Sequence, residues 1–386
     1  MKSFNRNVEQ IEPSASLLVM DKARKLQSEG KRVISLGGGE PDFPTPEKIR
    51  AAAKASMDAG NTHYVAGKGL PELRKAISRK LQTENGISCT ADNILVTPGG
   101  KFAIYLALNA MLNPGDEVLI MDPSWVSYAP IVGLCSAKPV GIGLTFDDNY
   151  AITEQKLESA CTDRTKVLII NSPNNPTGRV LTQEEAQIIA NFVLRHDLYV
   201  VADEVYEKLC FDGRKHISLG SIASIAERVV TVNGFSKCVA MTGWRMGYLS
   251  ASDELMKRIF KISQHTATCV PGFSQIGAIE AFDCAEEIEQ MRLSYARRRD
   301  FFVDGLNKIP GFCCHKPEGA FYAWVRIEKD GMDSAALAQY ILEQAQVACV
   351  PGTAYGASCD GFVRFSFANA QEDLEQALAA MTRAFS

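Results

Sequence analysis

With 386 residues, 46% of them hydrophobic, the chain can bury a substantial core, and its length suggests two domains or one large domain with an appendage. A formal net charge of −4 and a pI near 5.9 offer no basic face to nucleic acid, and no window approaches the roughly 18 uninterrupted apolar residues of a membrane span. These exclusions point to small-molecule chemistry in a soluble, cytoplasmic protein. Eleven scattered cysteines without a C-x-x-C pair read as reduced, mostly buried thiols. The five histidines (His63, His196, His216, His265 and His315) show no metal-ligand spacing, so no metal site is expected.

Residues 13 to 30 combine a Ser cap, helically spaced apolar residues and a terminal Gly, and predict an amphipathic helix. A short strand then runs into Gly37, Gly38 and Gly39, where backbone can approach a ligand closely. Helices are expected at 47 to 59 and 70 to 85, with Tyr64 in the connector between them. NILVTPGGKFAIYLALNAML reads as strand, Gly99, Gly100, Lys101, helix, which is a backbone anion site at a helix start. It is not a Walker motif, because Leu95 stands where the first glycine belongs. Trp125 falls between a strand end and a helix start, where ligands of open α/β sheets gather.

The segment from 166 to 206 is a βαβ unit: strand 166 to 171, helix 182 to 197, strand 198 to 203. Its crossover implies parallel strands. Asn174 and Asn175 lie at the end of the first strand, just past it, and Asp203 and Tyr206 at the end of the second. A carboxylate at a buried strand end needs a cation or several donors. RVVTVNGFSKCVAMTGWRMGY at 228 to 248 then reads as a buried strand delivering Lys237 into a pocket, with Arg245 eight residues on. A buried amine loses preference for its charged form and becomes a nucleophile for carbonyls, while an arginine suits a phosphate. Helices are expected at 253 to 265, as one long stretch at 274 to 307, at 333 to 346 and at 371 to 384. The strands GAFYAWVRI and DGFVRFSFA predict a half-exposed antiparallel sheet.

G-F-S-K-x-x-x-M-T-G-W-R-x-G-Y, together with NNPTG and DEVY, resembles the Schiff-base lysine signature of class I pyridoxal-phosphate aminotransferases, in the aspartate aminotransferase-like branch. The resemblance covers roughly 13 to 384. It implies fold type I: an α/β large domain (47–290) whose mostly parallel sheet is sandwiched by helices, and a smaller α+β domain formed by both chain ends (1–46 and 291–386).

By the same resemblance Lys237 carries pyridoxal 5'-phosphate and shuttles the proton, and Asp203 pairs with its ring nitrogen. Tyr206 and Asn175 bond its phenolic oxygen, and Trp125 stacks on it. Gly99, Gly100, Lys101, Arg245 and a partner subunit's tyrosine at position 64 hold phosphate, the first three mainly through backbone. Arg364 grips the substrate α-carboxylate, with Gly39 beside it. Gly234 stands where many relatives place a phosphate-binding serine, and Ser236 offers the nearest hydroxyl.

The implied activity is transfer of an amino group from an L-amino acid, aspartate first, to a 2-oxo acid such as 2-oxoglutarate, in a homodimer. An aromatic, alanine or broad-range aminotransferase and a β-lyase on the same fold are the alternatives. A binding protein without turnover is the contrasting class.

Overall fold

The computed structural model describes residues 2–329 and 331–386. Seven strands form one sheet in the order Ile94–Thr97, Gly247–Ser250, Val229–Gly234, Tyr199–Asp203, Thr165–Asn171, Glu117–Asp122, Lys138–Gly143. All run parallel except Gly247–Ser250, which is antiparallel to both neighbours. The central strands are apolar without alternation because helices cover both faces. Leu119, Leu168 and Val200 pack with Ile189 and Val193 on one side, whereas Val118, Val167 and Val201 pack with Ile104 and Leu108 on the other. The expected mostly parallel, helix-sandwiched sheet is therefore present.

Strand polarity places the chemistry. Thr97, Asp122, Asn171, Asp203 and Gly234 end parallel strands, so the loops after them leave from one edge. The antiparallel strand begins at that edge, with Gly247 opposite both Gly234 and Thr97. Arg245, just before it, thereby joins the loops that carry Gly99 and Lys237. Gly247 must be a glycine there, since a Cβ would stand 2.6 Å from Gly100 N.

A second, four-stranded antiparallel sheet has the order Val350–Pro351, Phe362–Ser366, Tyr322–Ile327, Phe312–Cys314. Ile34–Ser35 pairs in parallel with Val347–Ala348, tying the N-terminal segment to this C-terminal unit. Two expectations need correction. The small sheet is not half-exposed: every residue of Tyr322–Ile327 except Arg326 is buried. The helices Ala285–Leu306, Ser334–Ala345 and Gln371–Phe385 cover one face, while Trp324 joins the core of the large sheet on the other. The stretch from 274 to 307 is not continuous either. Helix Gly272–Ile279 passes through a 3-10 turn, Glu280–Asp283, before helix Ala285–Leu306 begins. Cys284 lies in a non-helical conformation at this break, fully buried among Phe235, Ile49 and Val239, so packing overrides the local helical pattern.

The remaining elements lie within two residues of their expected ends. Thr182 and Glu185 form a capping box on helix Gln183–Arg195, which fixes the start of the βαβ crossover.

Candidate active site

A cavity of about 460 Å³ opens at the shared strand edge. It gathers Gly39, Gly100, Lys101, Trp125, Asn175, Asp203, Tyr206, Ser236, Lys237, Arg245 and Arg364 from the sequence-derived set. Gly99 lies directly behind the wall, with φ +85°, and a Cβ on it would stand 2.7 Å from Arg245 Nη2. Only this conformation and this residue let Arg245 lie against the start of helix Gly100–Met111. Tyr64 does not line the cavity of its own chain: it is 87% exposed on the loop between two helices.

Lys237 follows the buried strand Val229–Gly234 and donates a hydrogen bond to the carbonyl of Gly39. Its ammonium lies 5.7 Å from the ring centre of Phe321 and 6.0 Å from that of Tyr206. Burial lowers its pKa to about 8; Glu40 opposes that shift, and Arg364 and Arg245 add to it.

Asp203 ends its strand beneath the cavity, 5% exposed. Burial raises its pKa to about 6, while a 2.7 Å hydrogen bond from the Tyr128 hydroxyl and one from Val205 N pull back toward the anion. Arg364 is 2% exposed on the small sheet. Its Nη1 donates to Asn175 Oδ1 at 3.0 Å and its Nη2 to Gly37 O at 2.7 Å, while Nε has no partner among the described residues.

The structure adds residues that the motifs did not yield. Tyr128 sits at the start of helix Tyr128–Leu134, edge-on to Trp125 at 5.3 Å. The Tyr322 hydroxyl lies 2.8 Å from that of Tyr206, and the Tyr322 ring lies 4.2 Å from the Arg364 guanidinium. The two are diagonal cross-strand neighbours, since Trp324 is the partner of Arg364. Ser14, Ser16, Leu17 and Met20 bring the N-terminal helix onto the cavity mouth.

The Lys101 side chain also reaches the cavity. Its ammonium lies 5.0 Å from the Trp125 ring centre, inside the cavity, and burial together with Arg245 lowers its pKa. Among the described residues, Lys101, Arg245 and Arg364 form no ion pair with a carboxylate.

Away from this cavity, Glu204, Glu207 and His216 present ligand atoms within 4.8 Å of one another, which their sequence spacing concealed. The Lys80 ammonium already bonds Glu207 there, so the cluster carries a cation of its own.

A family model described as aminotransferase class I and II matches residues 31–381. The chain belongs to this aminotransferase family. It is 43% identical over 387 residues to an aspartate aminotransferase of Musicola paradisiaca, covering 100% of this chain and 97% of that protein. An aromatic-amino-acid aminotransferase 2 of Thermococcus litoralis is 40% identical, with 99% and 98% covered. The structure superposes on an aspartate aminotransferase from Thermus thermophilus with maleate at a TM-score of 0.95, 38% identity and 100% coverage of both chains. The protein is an aminotransferase, and its mostly parallel seven-stranded sheet is that of fold type I.

Proposed function

We propose that this aminotransferase uses pyridoxal 5'-phosphate to move the amino group of L-aspartate to a 2-oxo acid such as 2-oxoglutarate, in two half-reactions. One observation carries the reading: beside a half-buried lysine with a pKa near 8, a single cavity holds three cations, Lys101, Arg245 and Arg364, without carboxylate partners among the described residues. An aspartate bound with a phosphate-bearing cofactor brings three anionic groups to match them. Arg364 is buried while Lys101 and Arg245 stand exposed at the cavity, and the unpaired set fits a ligand that supplies the missing charge.

The cavity suits the cofactor at each end. The start of helix Gly100–Met111, Arg245 and the Ser236 hydroxyl face the phosphate, Trp125 offers a flat ring, and Asp203 offers a carboxylate for a protonated ring nitrogen. When bound, the cofactor supplies the electron sink that acidifies the substrate Cα–H bond.

The chain's own residues do the rest. Arg364 holds the α-carboxylate, with Asn175 and Gly37 fixing its plane. Lys101 meets the distal carboxylate. Lys237, released as a free amine, takes the Cα proton and returns it. Tyr322 positions the Tyr206 hydroxyl. The small sheet and the N-terminal helix exclude water from above.

Tyr64, exposed and outside its own cavity, fits a role in the site of a second copy, so we propose a homodimer. The two sheets support a division into a large domain at 47–290 and a small one at 1–46 and 291–386. No helix among the described residues is long and apolar enough to cross a membrane. The described cysteines are all free, which suits a cytoplasmic setting.

The test is the visible spectrum of the purified protein with L-aspartate, L-glutamate, L-alanine and L-phenylalanine in turn. A yellow band that aspartate bleaches most effectively supports the proposal. A colourless protein that cannot be loaded with pyridoxal phosphate would sink it. Preferential bleaching by phenylalanine favours the second reading, an aromatic aminotransferase, for which the Thermococcus relative and the apolar Leu17 and Met20 at the cavity mouth speak.

A further inference from the structure

The turn after strand Tyr199–Asp203 has two faces. Asp203 and Tyr206 point into the active-site cavity, whereas Glu204 and Glu207 point away into a buried polar cluster. There Glu204 Oε2 accepts from Ser218 Oγ at 2.6 Å and lies 3.0 Å from His216 Nε2. Asn85 Nδ2 donates to Glu207 Oε2 and to Ser218 Oγ, each at 2.7 Å. Lys80 Nζ bonds Asn85 Oδ1 at 2.7 Å and also Glu207. The turn is stiff: Glu204 N donates to Val232 O and Glu207 N to Glu204 O, both at 2.9 Å.

The charges that face His216 are Glu204 and Glu207 on this turn and Lys80 on helix Pro71–Glu84; Lys208 and Glu84 pair with each other nearby. With a neutral imidazole, two buried carboxylates face one ammonium and leave a net negative charge, which is expensive in a dry site. A protonated imidazole removes it.

We propose that His216 is a positioning residue: as an imidazolium it neutralises the far face of the 203–207 turn, and so holds Asp203 and Tyr206 in place and keeps Asp203 ionised. Two effects run through Glu204. Its ion pair anchors the backbone next to Asp203, and its own charge, when uncompensated, works against a second carboxylate beside it. In support, burial opposes charge on His216, but Glu204 and Glu207 outweigh it and raise its pKa above the ordinary value. A divalent metal in the same cluster would have to displace the Lys80 ammonium.

The inference rests on the proposed role of Asp203, and its test separates the two. In the loaded enzyme, the acid limb of kcat/KM and the pH titration of the visible band are followed for wild type, His216→Gln, Glu204→Gln and the double variant. His216→Gln leaves Glu204 uncompensated and moves the acid midpoint up by about 0.5 pH unit; Glu204→Gln moves it down by about as much; the double variant lies near wild type. All three variants lose thermal stability, but a merely structural cluster would not give shifts of opposite sign. Midpoints that stay put, or that move in one direction for both single variants, overturn the proposal. NMR of ¹⁵N-histidine-labelled protein judges it independently of turnover. The His216 resonance should titrate above the ordinary imidazole range and fall in Glu204→Gln; a neutral His216 at pH 6 overturns the proposal even if the enzyme loads normally. Failure to load with pyridoxal phosphate overturns the functional reading instead.

Discussion

The hydroxyl of Tyr128 donates a 2.7 Å hydrogen bond to Oδ2 of Asp203, a carboxylate with almost no contact with solvent. Burial alone pushes this acid toward its neutral form, and the phenol is the strongest influence opposing that push. Tyr128→Phe should therefore raise the Asp203 pKa above about 6. The acid limb of kcat/KM would move to higher pH, and kcat/KM at neutral pH would fall about 10- to 150-fold, the equivalent of roughly 1.5–3 kcal/mol for a bond to a charged group. An unchanged acid limb would count against this role.

Lys237 makes a separate prediction about assembly. Its pKa near 8 means that the free amine becomes the major form only above that pH. The rate at which the apoprotein takes up pyridoxal phosphate, followed by its visible absorbance, should rise with pH through a midpoint near 8. Lys237→Ala should form no such band. A midpoint near that of an ordinary lysine, about 10.4, would mean that the pocket does not tune this amine.

Gly39 and Tyr322 are coupled by space. A Cβ at position 39 would stand 2.7 Å from the Tyr322 hydroxyl, which is itself bonded to Tyr206. Gly39→Ala should thus displace that hydroxyl and raise KM several-fold. Adding Tyr322→Phe should recover part of the loss, giving a non-additive cycle in steady-state kinetics.

The cations of the cavity divide by ligand. Arg364→Lys keeps the charge but loses the fork that meets Asn175 Oδ1 and Gly37 O. We expect kcat/KM to drop about 30- to 1,000-fold for every amino acid tested, from roughly 2–4 kcal/mol of lost pairing. Lys101→Ala should instead cost more with aspartate than with phenylalanine, since only aspartate has a second carboxylate. Equal losses for both substrates would remove Lys101 from substrate recognition.

Stability should depend on pH through His216. Its pKa is raised in the folded state, so its contribution is fully present below the ordinary imidazole value and is lost as pH rises through the folded one. The gap in Tm between wild type and His216→Gln should then narrow as pH rises above the ordinary imidazole value, about 6.5. Glu207 behaves oppositely. Although burial opposes its ionisation, Lys80 and His216 help to lower its pKa to about 2, so its contribution is present above the ordinary carboxylate range and disappears only in strong acid.

What the sequence determined is local. A lysine after a β-branched strand and a glycine, an aspartate closing an apolar strand, and a glycine pair opening a helix are each set by neighbours a few positions away, and all three line or abut the cavity. The parallel sheet was equally legible, because uninterrupted apolar strands separated by helices have one stable arrangement, buried on both faces.

Tertiary structure decided the rest. The break at Cys284 follows from burial against Phe235 and Ile49, and the burial of the small sheet from contacts on both its faces; neither appears in local periodicity. Tyr322 reaches Gly39 and Tyr206 only because the small sheet lies over the strand edge, and His216 meets Glu204 only because two loops fold behind it. Such contacts depend on strand order and on which face each side chain takes, and spacing along the chain carries neither.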